Sequence, residues 1–502
     1  MNNLPVRSLA SDLPDVRTLG LARLTAGMGV AYRLDWTTHL SVHGPLPDLG
    51  LSHLTALAEE IGLCGRGGAG FPFARKLRAV ATSSRARRST AAVVVNGCEG
   101  EPACRKDTVL LARAPHLVLD GALLAAEALG AEQLVVGVTR APLEESVRRA
   151  MAERGLSERR GRRLRARVFR MPERFVSGEA TALLRAAGGG PALPPGRRVR
   201  SAERGLSGLP TLVSNAETFA QLAVAARMGA GTYASTGTRE EPGTVLLTLG
   251  GCVPRRTVLE TPTGVPLAHI LERCGSGTGQ GVLVGGYHGT WLDPDSASMA
   301  AVSRASMAAH RATLGAGAVL PLSWDVCPLG ETLRVAQWLA AETAGQCGPC
   351  RLGLPALAGA LADVLGGGGR AALDTLRQYA GSVRGRGACK HPDGSARFVL
   401  SSVNTFTDDL AAHVLGNGCG RPVAGVLPLP DEAGPTGGER LAVDWTLCAG
   451  HGLCADLLPE AIRLDRDGYP VLSDAPLPEY LRPRARRALA RCPALALRLE
   501  NS

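Results

Sequence analysis

The chain has 502 residues, 45% of them hydrophobic and 20% charged, enough for three or four ordinary globular domains. Its 63 glycines follow no Gly-X-Y period, which excludes collagen, and no uninterrupted apolar run approaches the ~18 residues that span a bilayer, which excludes membrane insertion by a single helix. The net charge of +11 rests almost entirely on arginine, with lysine only at Lys76, Lys106 and Lys390, and no helix-turn-helix, zinc-finger or RNA-binding signature turns that charge into a nucleic-acid site.

Residues 1–50 are punctuated by proline and poorly periodic, and an extended arm is expected there. Their opening stretch has neither the apolar core nor the cleavage site of a signal peptide, so a cytoplasmic protein is expected. Thirteen cysteines in a reducing compartment point to metal or redox chemistry before disulfides. A short helix is expected over residues 51–61, a strand over 91–95, a helix over 117–129, a strand over 133–138 and a helix over 143–154. Such strand–helix alternation predicts an α/β domain with a largely parallel sheet. A strand over 165–170 and a helix over 180–187 follow. Arg159, Arg160, Arg162, Arg163, Arg165 and Arg167 read as a solvated basic face. After a Pro/Gly/Arg loop over 191–208, another helix is expected near Ser214-Asn215, with Ser214 as its N-cap and Glu217 three residues on.

Beyond residue 240 the pattern changes. Short strands at 245–249, 258–259 and 282–284 around a helix at 267–274 predict a small α+β module of β-grasp type. Residues 331–415, rich in Ala and Leu, predict helices. Residues 420–440 carry Pro, Gly and charge with little periodicity and predict a linker. The expected organisation is an arm (1–50), an α/β domain (51–240), a β-grasp domain (241–325), a helical domain (326–418), a linker (419–440) and a small terminal domain (441–502).

Cys448, His451 and Cys454, with a remote Cys492-Pro493, carry the strongest local signal. Bacterial ferredoxins hold a cluster with C-x2-C-x2-C and a distant Cys-Pro; here histidine takes the middle position. Iron and sulfide are soft, so thiolates suit them. Three thiolates suit a 3Fe–4S cluster, and His451 as a fourth ligand suits a 4Fe–4S cluster; a structural Cys3His zinc is the alternative. Residues 441–500 resemble the small bacterial ferredoxins that often serve a cytochrome P450. Upstream, Cys347 and Cys350 sit where a helix begins, with Cys389 further on. The free N–H groups of a helix start suit an anionic cluster, and a pair of buried structural thiols is the alternative.

Gly65-Arg66-Gly67-Gly68-Ala69-Gly70 fits G-x-G-x-x-G but follows a helix rather than a strand, unlike a Rossmann turn. The backbone N–H groups of such a loop approach a phosphate or flavin closely, and Arg66 and Lys76 add positive charge. An ordinary turn is the alternative. Asn96-Gly97-Cys98-Glu99-Gly100-Glu101-Pro102 sets two carboxylates just past the end of a strand, where α/β sheets bind ligands. Exposed loop acids are the alternative.

Taken in order, residues 62–72, 96–107, Phe175-Val176-Ser177-Gly178-Glu179 onward to 183, 208–218 and 342–351 resemble the NADH-binding flavoprotein subunit of respiratory complex I. The resemblance spans residues 51–415. It implies an α/β flavodoxin-like FMN domain, a β-grasp (SLBB) domain and an all-α helical bundle with a 4Fe–4S cluster; the small α+β ferredoxin domain follows. It implies that NADH gives a hydride to FMN and that single electrons pass to the iron–sulfur clusters. Gly65, Arg66, Gly67, Gly68, Ala69, Gly70, Phe71 and Lys76 would then line the nucleotide and flavin site. Asn96, Glu99, Glu101, Gly178, Glu179, Asn215 and Thr218 would contact FMN or NAD(H), with Glu99 and Glu101 the candidate catalytic carboxylates. Cys347, Cys350 and Cys389 would ligate the middle cluster; Cys448, His451, Cys454 and Cys492 would ligate the terminal one.

The chain also departs from the family. Ala344 stands where the family has a cysteine, so the middle cluster, 4Fe–4S or 3Fe–4S, has three family-type thiolates, recruits another ligand, or is absent. Cys98 replaces an Asp, Ala180 a Glu, and Leu77 an aromatic that would stack on the nucleotide. The implied acceptor is a separate redox protein: a cytochrome P450, an oxygenase or another electron-transfer subunit. The alternative is a relay subunit with a degenerate nucleotide site, reduced by a partner protein.

Overall fold

The computed structural model describes residues 13–156, 164–196, 199–416, 418–430, 439–459, 461–472, 477 and 482–501. They form two compact units that divide between residues 428 and 429. The arginines between 157 and 163 lie outside the described residues.

In the first unit the expected arm carries regular structure. Strand β1 (Asp15–Thr18) joins the edge of a sheet, and Trp36–His43 is a helix whose N-cap, Asp35, accepts from the Thr38 N–H at 2.8 Å. A four-residue edge strand is too short to show a period, and its pairing partner is remote in sequence.

Four strands build the first sheet: β2 (Ala92–Asn96), β3 (Gln133–Val138), β4 (Arg165–Arg170) and β5 (Thr211–Asn215), in the order β4-β3-β2-β5 with every pair parallel. Ala92 to Val95 are wholly buried, because both faces of the strand are covered, so the apolar run is continuous rather than alternating. Each such valine contributes about 1.5–3 kcal/mol by leaving water. Helix Pro115–Leu129 crosses Ala216–Ala234 so closely that a Cβ at Gly121 would fall 1.9 Å from the Phe219 carbonyl oxygen. The helix expected to start on Ser214 begins later. Ser214 belongs to β5, and Asn215 is the N-cap, its Oδ1 accepting from the Glu217 N–H at 3.0 Å. β5 runs straight into an apolar helix, so its own period is lost in that of the helix. Asn96 and Asn215 end β2 and β5 as register partners, at the carboxyl edge where parallel sheets open a ligand crevice.

The second sheet is mixed. It contains β6 (Thr244–Leu249), β7 (Thr257–Pro262), β8 (Gly281–Val284), β9 (Thr290–Leu292) and β10 (Ala318–Leu322), in the order β1-β7-β6-β10-β8-β9. The β1–β7 and β6–β10 pairs are parallel and the others antiparallel. A helical region follows, built on Pro328–Ala341, Leu354–Leu365, Gly369–Val383, His391–Thr405 and Thr407–Val414. Residues 421–428, inside the expected linker, are fastened to it. The wholly buried Glu331 accepts from the N–H groups of Ala424 (2.8 Å), Gly425 (2.7 Å) and Leu427 (3.2 Å). One buried carboxylate thus pins three backbone groups, which composition does not display. Residues 431–438 of that linker lie outside the described residues.

Among the described residues no single helix is long and apolar enough to cross a membrane. The bent pair Lys106–Arg113 and Pro115–Leu129, turned by 93°, has the composition but is buried in the core.

The second unit has its own small core. Strands β11 (Glu439–Val443), β12 (Ile462–Leu464), β13 (Pro470–Leu472) and β14 (Leu497–Asn501) form two antiparallel pairs, β11–β14 and β12–β13. Helix Arg482–Arg491 is rich in arginine, yet Ala485 and Ala488, three apart, pack with Leu441, Leu458, Ile462 and Leu497.

Candidate functional site

The glycine loop leaves helix Leu51–Glu60 and enters helix Phe73–Arg87. It walls a cavity of about 550 Å³ at the carboxyl edge of β2 and β5. Gly65, Arg66, Gly67, Gly68, Ala69, Gly70, Phe71 and Lys76 all line it. So do Asn96, Glu99, Glu101, Gly178, Glu179 and Asn215. Thr218 stands behind the wall: wholly buried, its Oγ1 accepts from the Arg66 N–H at 2.9 Å and anchors the loop. Gly68 has φ +100°, open to glycine, and a Cβ at Gly67 would press to 3.3 Å from Asn215 Cβ. Leu77 is wholly buried in the core and does not reach the cavity, whereas Phe71, 42% exposed, lines it as an aromatic surface.

Asn215 ties the sheet edge together. Its Oδ1 accepts from Lys106 Nζ at 3.0 Å, and its Nδ2 donates to Asp107 Oδ2 at 2.6 Å. Lys106 Nζ also meets Asp107 Oδ1 and Glu217 Oε2, each at 3.0 Å, with only 2% of the lysine exposed. Burial alone would lower the lysine pKa, but the Asp107 and Glu217 carboxylates outweigh it and hold the ammonium protonated.

The acids divide by role. Glu99 accepts from the Asp107 N–H (3.0 Å), the Thr108 N–H (3.1 Å) and the Thr108 hydroxyl (2.6 Å), and so covers the start of helix Lys106–Arg113. Glu179 caps helix Ala180–Ala187 by accepting from the Ala182 N–H at 2.8 Å. Glu101 accepts from the Tyr287 N–H at 2.7 Å and the Ala103 N–H at 3.2 Å. Burial lifts its carboxyl to about 7, against the pull of those two donors. The Glu101 carboxyl therefore changes charge near neutral pH.

The rest of the wall comes from residues without a local motif. His288, Gly315 and Ala316 arrive from the second-sheet region, and Cys389, His391 and Arg397 from the helical region. His391 Nε2 lies 2.9 Å from the Leu339 carbonyl, and its Nδ1 lies 3.1 Å from His288 Nε2. Burial lowers both imidazoles, His391 to about 4, so each is neutral, with the His391 proton on Nε2. Apart from Cys389, no period or motif in the sequence marks these residues.

Cys389 is also one of the three expected cluster thiols, and the fold assembles the set. Cys350, 2% exposed, lies against Cys347, and the Ala388 N–H reaches the Cys347 sulfur. Burial pushes the Cys350 and Cys389 thiols up. The same push on Cys347 is outweighed by the N–H groups of Ala388 and Cys350, which hold it below its ordinary value. Ala344 offers no ligand to this set. In the second unit Cys448, Cys454 and Cys492 are half-buried and near one another, while His451 is exposed. Cys492 Sγ accepts from the Ala496 N–H at 3.4 Å.

Two buried polar atoms of cavity residues, Arg66 Nε and Ser214 Oγ, have no hydrogen-bond partner among the described residues. Buried polar atoms rarely stay unpaired. With the glycine cradle and the cations of Lys76 and Arg397, they fit an anionic ligand that also carries a hydrogen-bonding ring, as FMN does.

Residues 58–224 match the Nuo51 FMN-binding domain, residues 331–413 the NADH-ubiquinone oxidoreductase-F iron-sulfur binding region, and residues 441–499 a 4Fe-4S single cluster domain. The chain is therefore an oxidoreductase of the flavin and iron–sulfur electron-transfer class, with one FMN-binding domain and two iron–sulfur regions. The F subunit of the NADH-quinone oxidoreductase of Streptomyces coelicolor is 30% identical over 380 residues, 73% of this chain and 84% of that one. The NADP-reducing hydrogenase subunit HndC of Solidesulfovibrio fructosivorans is 28% identical over 421 residues, 80% of this chain and 82% of its own. A crystal structure of an NAD+-reducing [NiFe]-hydrogenase in the H2-reduced state superposes with a TM-score of 0.69 at 25% identity, covering 80% of this chain and 68% of that one. The chain belongs to the family of NADH-quinone oxidoreductase F subunits.

Proposed function

We propose that this chain oxidises NADH at the cavity described above and delivers single electrons, through clusters at its cysteines, to a separate cytoplasmic redox protein. One observation carries the reading: Cys389, a thiol of the middle set, is itself part of the cavity wall, so flavin site and cluster site share a boundary. FMN, when bound, supplies hydride acceptance and release of electrons one at a time. Gly65 to Gly70 would hold its phosphate and ring edge by backbone N–H groups, with Arg66 Nε and Ser214 Oγ as added donors. Phe71 and Lys76 would meet the nucleotide, while Glu101 would set the charge of the cavity near neutral pH. Cys347, Cys350 and Cys389 would hold the middle cluster, and Cys448, Cys454 and Cys492, with or without His451, the terminal one. The first sheet is read as flavodoxin-like and the second as β-grasp, followed by the helical bundle and the ferredoxin.

Anaerobic addition of NADH to protein loaded with FMN, iron and sulfide tests the proposal. Bleaching of the flavin band, followed by cluster reduction, supports it. An unchanged flavin with clusters that dithionite still reduces favours a relay subunit with a degenerate nucleotide site. Material free of iron and flavin after anaerobic preparation overturns both.

A further inference from the structure

Cys327, His413 and Cys419, which belong neither to the flavin cavity nor to either set of cluster cysteines, bring two sulfurs and an imidazole nitrogen within 4.8 Å of one another. We propose that these three side chains bind a single zinc ion, which fastens the segment after helix Thr407–Val414 to the helical region. The spacing is that of one ion. With zinc–sulfur bonds of about 2.3 Å and zinc–nitrogen bonds of about 2.0–2.1 Å, a tetrahedral S–N edge is about 3.5 Å. Cys327 Sγ lies 3.4 Å from His413 Nε2.

The surroundings fix each ligand. His413 Nδ1 lies 3.2 Å from the Leu365 carbonyl, which can only accept, so the proton sits on Nδ1 and the Nε2 lone pair is left for a metal. Cys327 is the N-cap of helix Pro328–Ala341, and its sulfur accepts from the Gly330 N–H at 3.2 Å, which orients it and offsets negative charge once metal is bound. Cys327 and His413 are buried and Cys419 is half-buried, so a water can complete the fourth position from the Cys419 side. Two thiolates and one neutral imidazole balance a 2+ ion, and the two thiol protons pass to solvent as it binds. The Cys327 N–H also donates to the Pro422 carbonyl at 2.8 Å, and Glu331 holds residues 424–427. The ion would add a third fastening, at Cys419, to those that Pro422 and Glu331 give this loop.

The test uses the full-length chain, produced with added zinc and purified without oxygen or chelator. About one zinc per chain, with X-ray absorption showing roughly two sulfurs, one nitrogen and one oxygen around it, is expected. Cys419→Ser and His413→Gln should each lower zinc at least about five-fold while FMN and iron stay unchanged. Zinc below about a tenth per chain, a three-sulfur or four-sulfur environment, or zinc retained in both variants overturns the proposal. So does a Cys327–Cys419 disulfide recovered by peptide mapping of the same material. If a variant fails to fold and loses iron and FMN as well, the absorption spectrum of the unmodified chain decides alone.

Discussion

Replacing Lys106 by methionine removes a charge that Asp107, Glu217 and Asn215 all face at 3.0 Å. The stem is conserved in size, so the loss is electrostatic rather than a cavity. Asp107 and Glu217 are 5% and 1% exposed and would be left buried without a counter-ion. Removing one partner of a buried ion pair costs about 3–5 kcal/mol. At about 2–4 °C per kcal/mol for a domain of this size, the melting midpoint should fall by roughly 6–20 °C. The deficit should depend on pH. Burial already raises the Asp107 carboxyl against the pull of Lys106, so without the ammonium it takes up a proton more readily in the folded state, and the deficit shrinks from pH 8 towards pH 5. The assay is thermal unfolding of the full chain, read by release of flavin fluorescence. Adding Glu217→Gln should recover part of the loss. A Lys106→Met midpoint within about 2 °C of wild type at pH 8, or a deficit equal at pH 5 and pH 8, would refute the reasoning.

Glu101→Gln tests the carboxyl that burial raises to about 7. The folded chain keeps a proton that the unfolded chain releases near 4.5, so wild-type stability falls as pH rises between those values and the glutamine variant escapes this loss. The stability difference should therefore move in favour of the variant from pH 5 to pH 8, and the KM for the anionic NADH should rise with pH only in the wild type; parallel curves would count against a titrating Glu101. Ala344→Cys should restore a fourth thiolate and change the electron paramagnetic resonance spectrum of the middle cluster; an identical spectrum would argue against a cluster at Cys347, Cys350 and Cys389. Cys454→Ala should abolish the terminal cluster, lowering iron while FMN content stays constant. Loss of flavin together with that iron would show that the two units do not bind their cofactors independently.

Chemistry with short reach was legible in the residue order. The glycine loop, the acids after β2 and the C-x2-C pair each depend on a few consecutive residues and the backbone they dictate. In the first sheet β2 and β3 carried continuous apolar runs long enough to read, and β4 showed as apolar residues set among arginines. Chain order alone could not show that β1 leaves the arm for the second sheet, or that Ser214 is a strand residue while Asn215 caps the helix. It could not separate Glu99 and Glu179, whose oxygens serve helix starts, from Glu101, which accepts from the remote Tyr287 N–H. Nor could it bring Cys389 to the cavity or Cys327 to His413. Periodicity reports which face of an element is buried; which remote side chain meets it is decided by sheet register and helix packing, and those contacts set the burial and charge from which the chemistry follows.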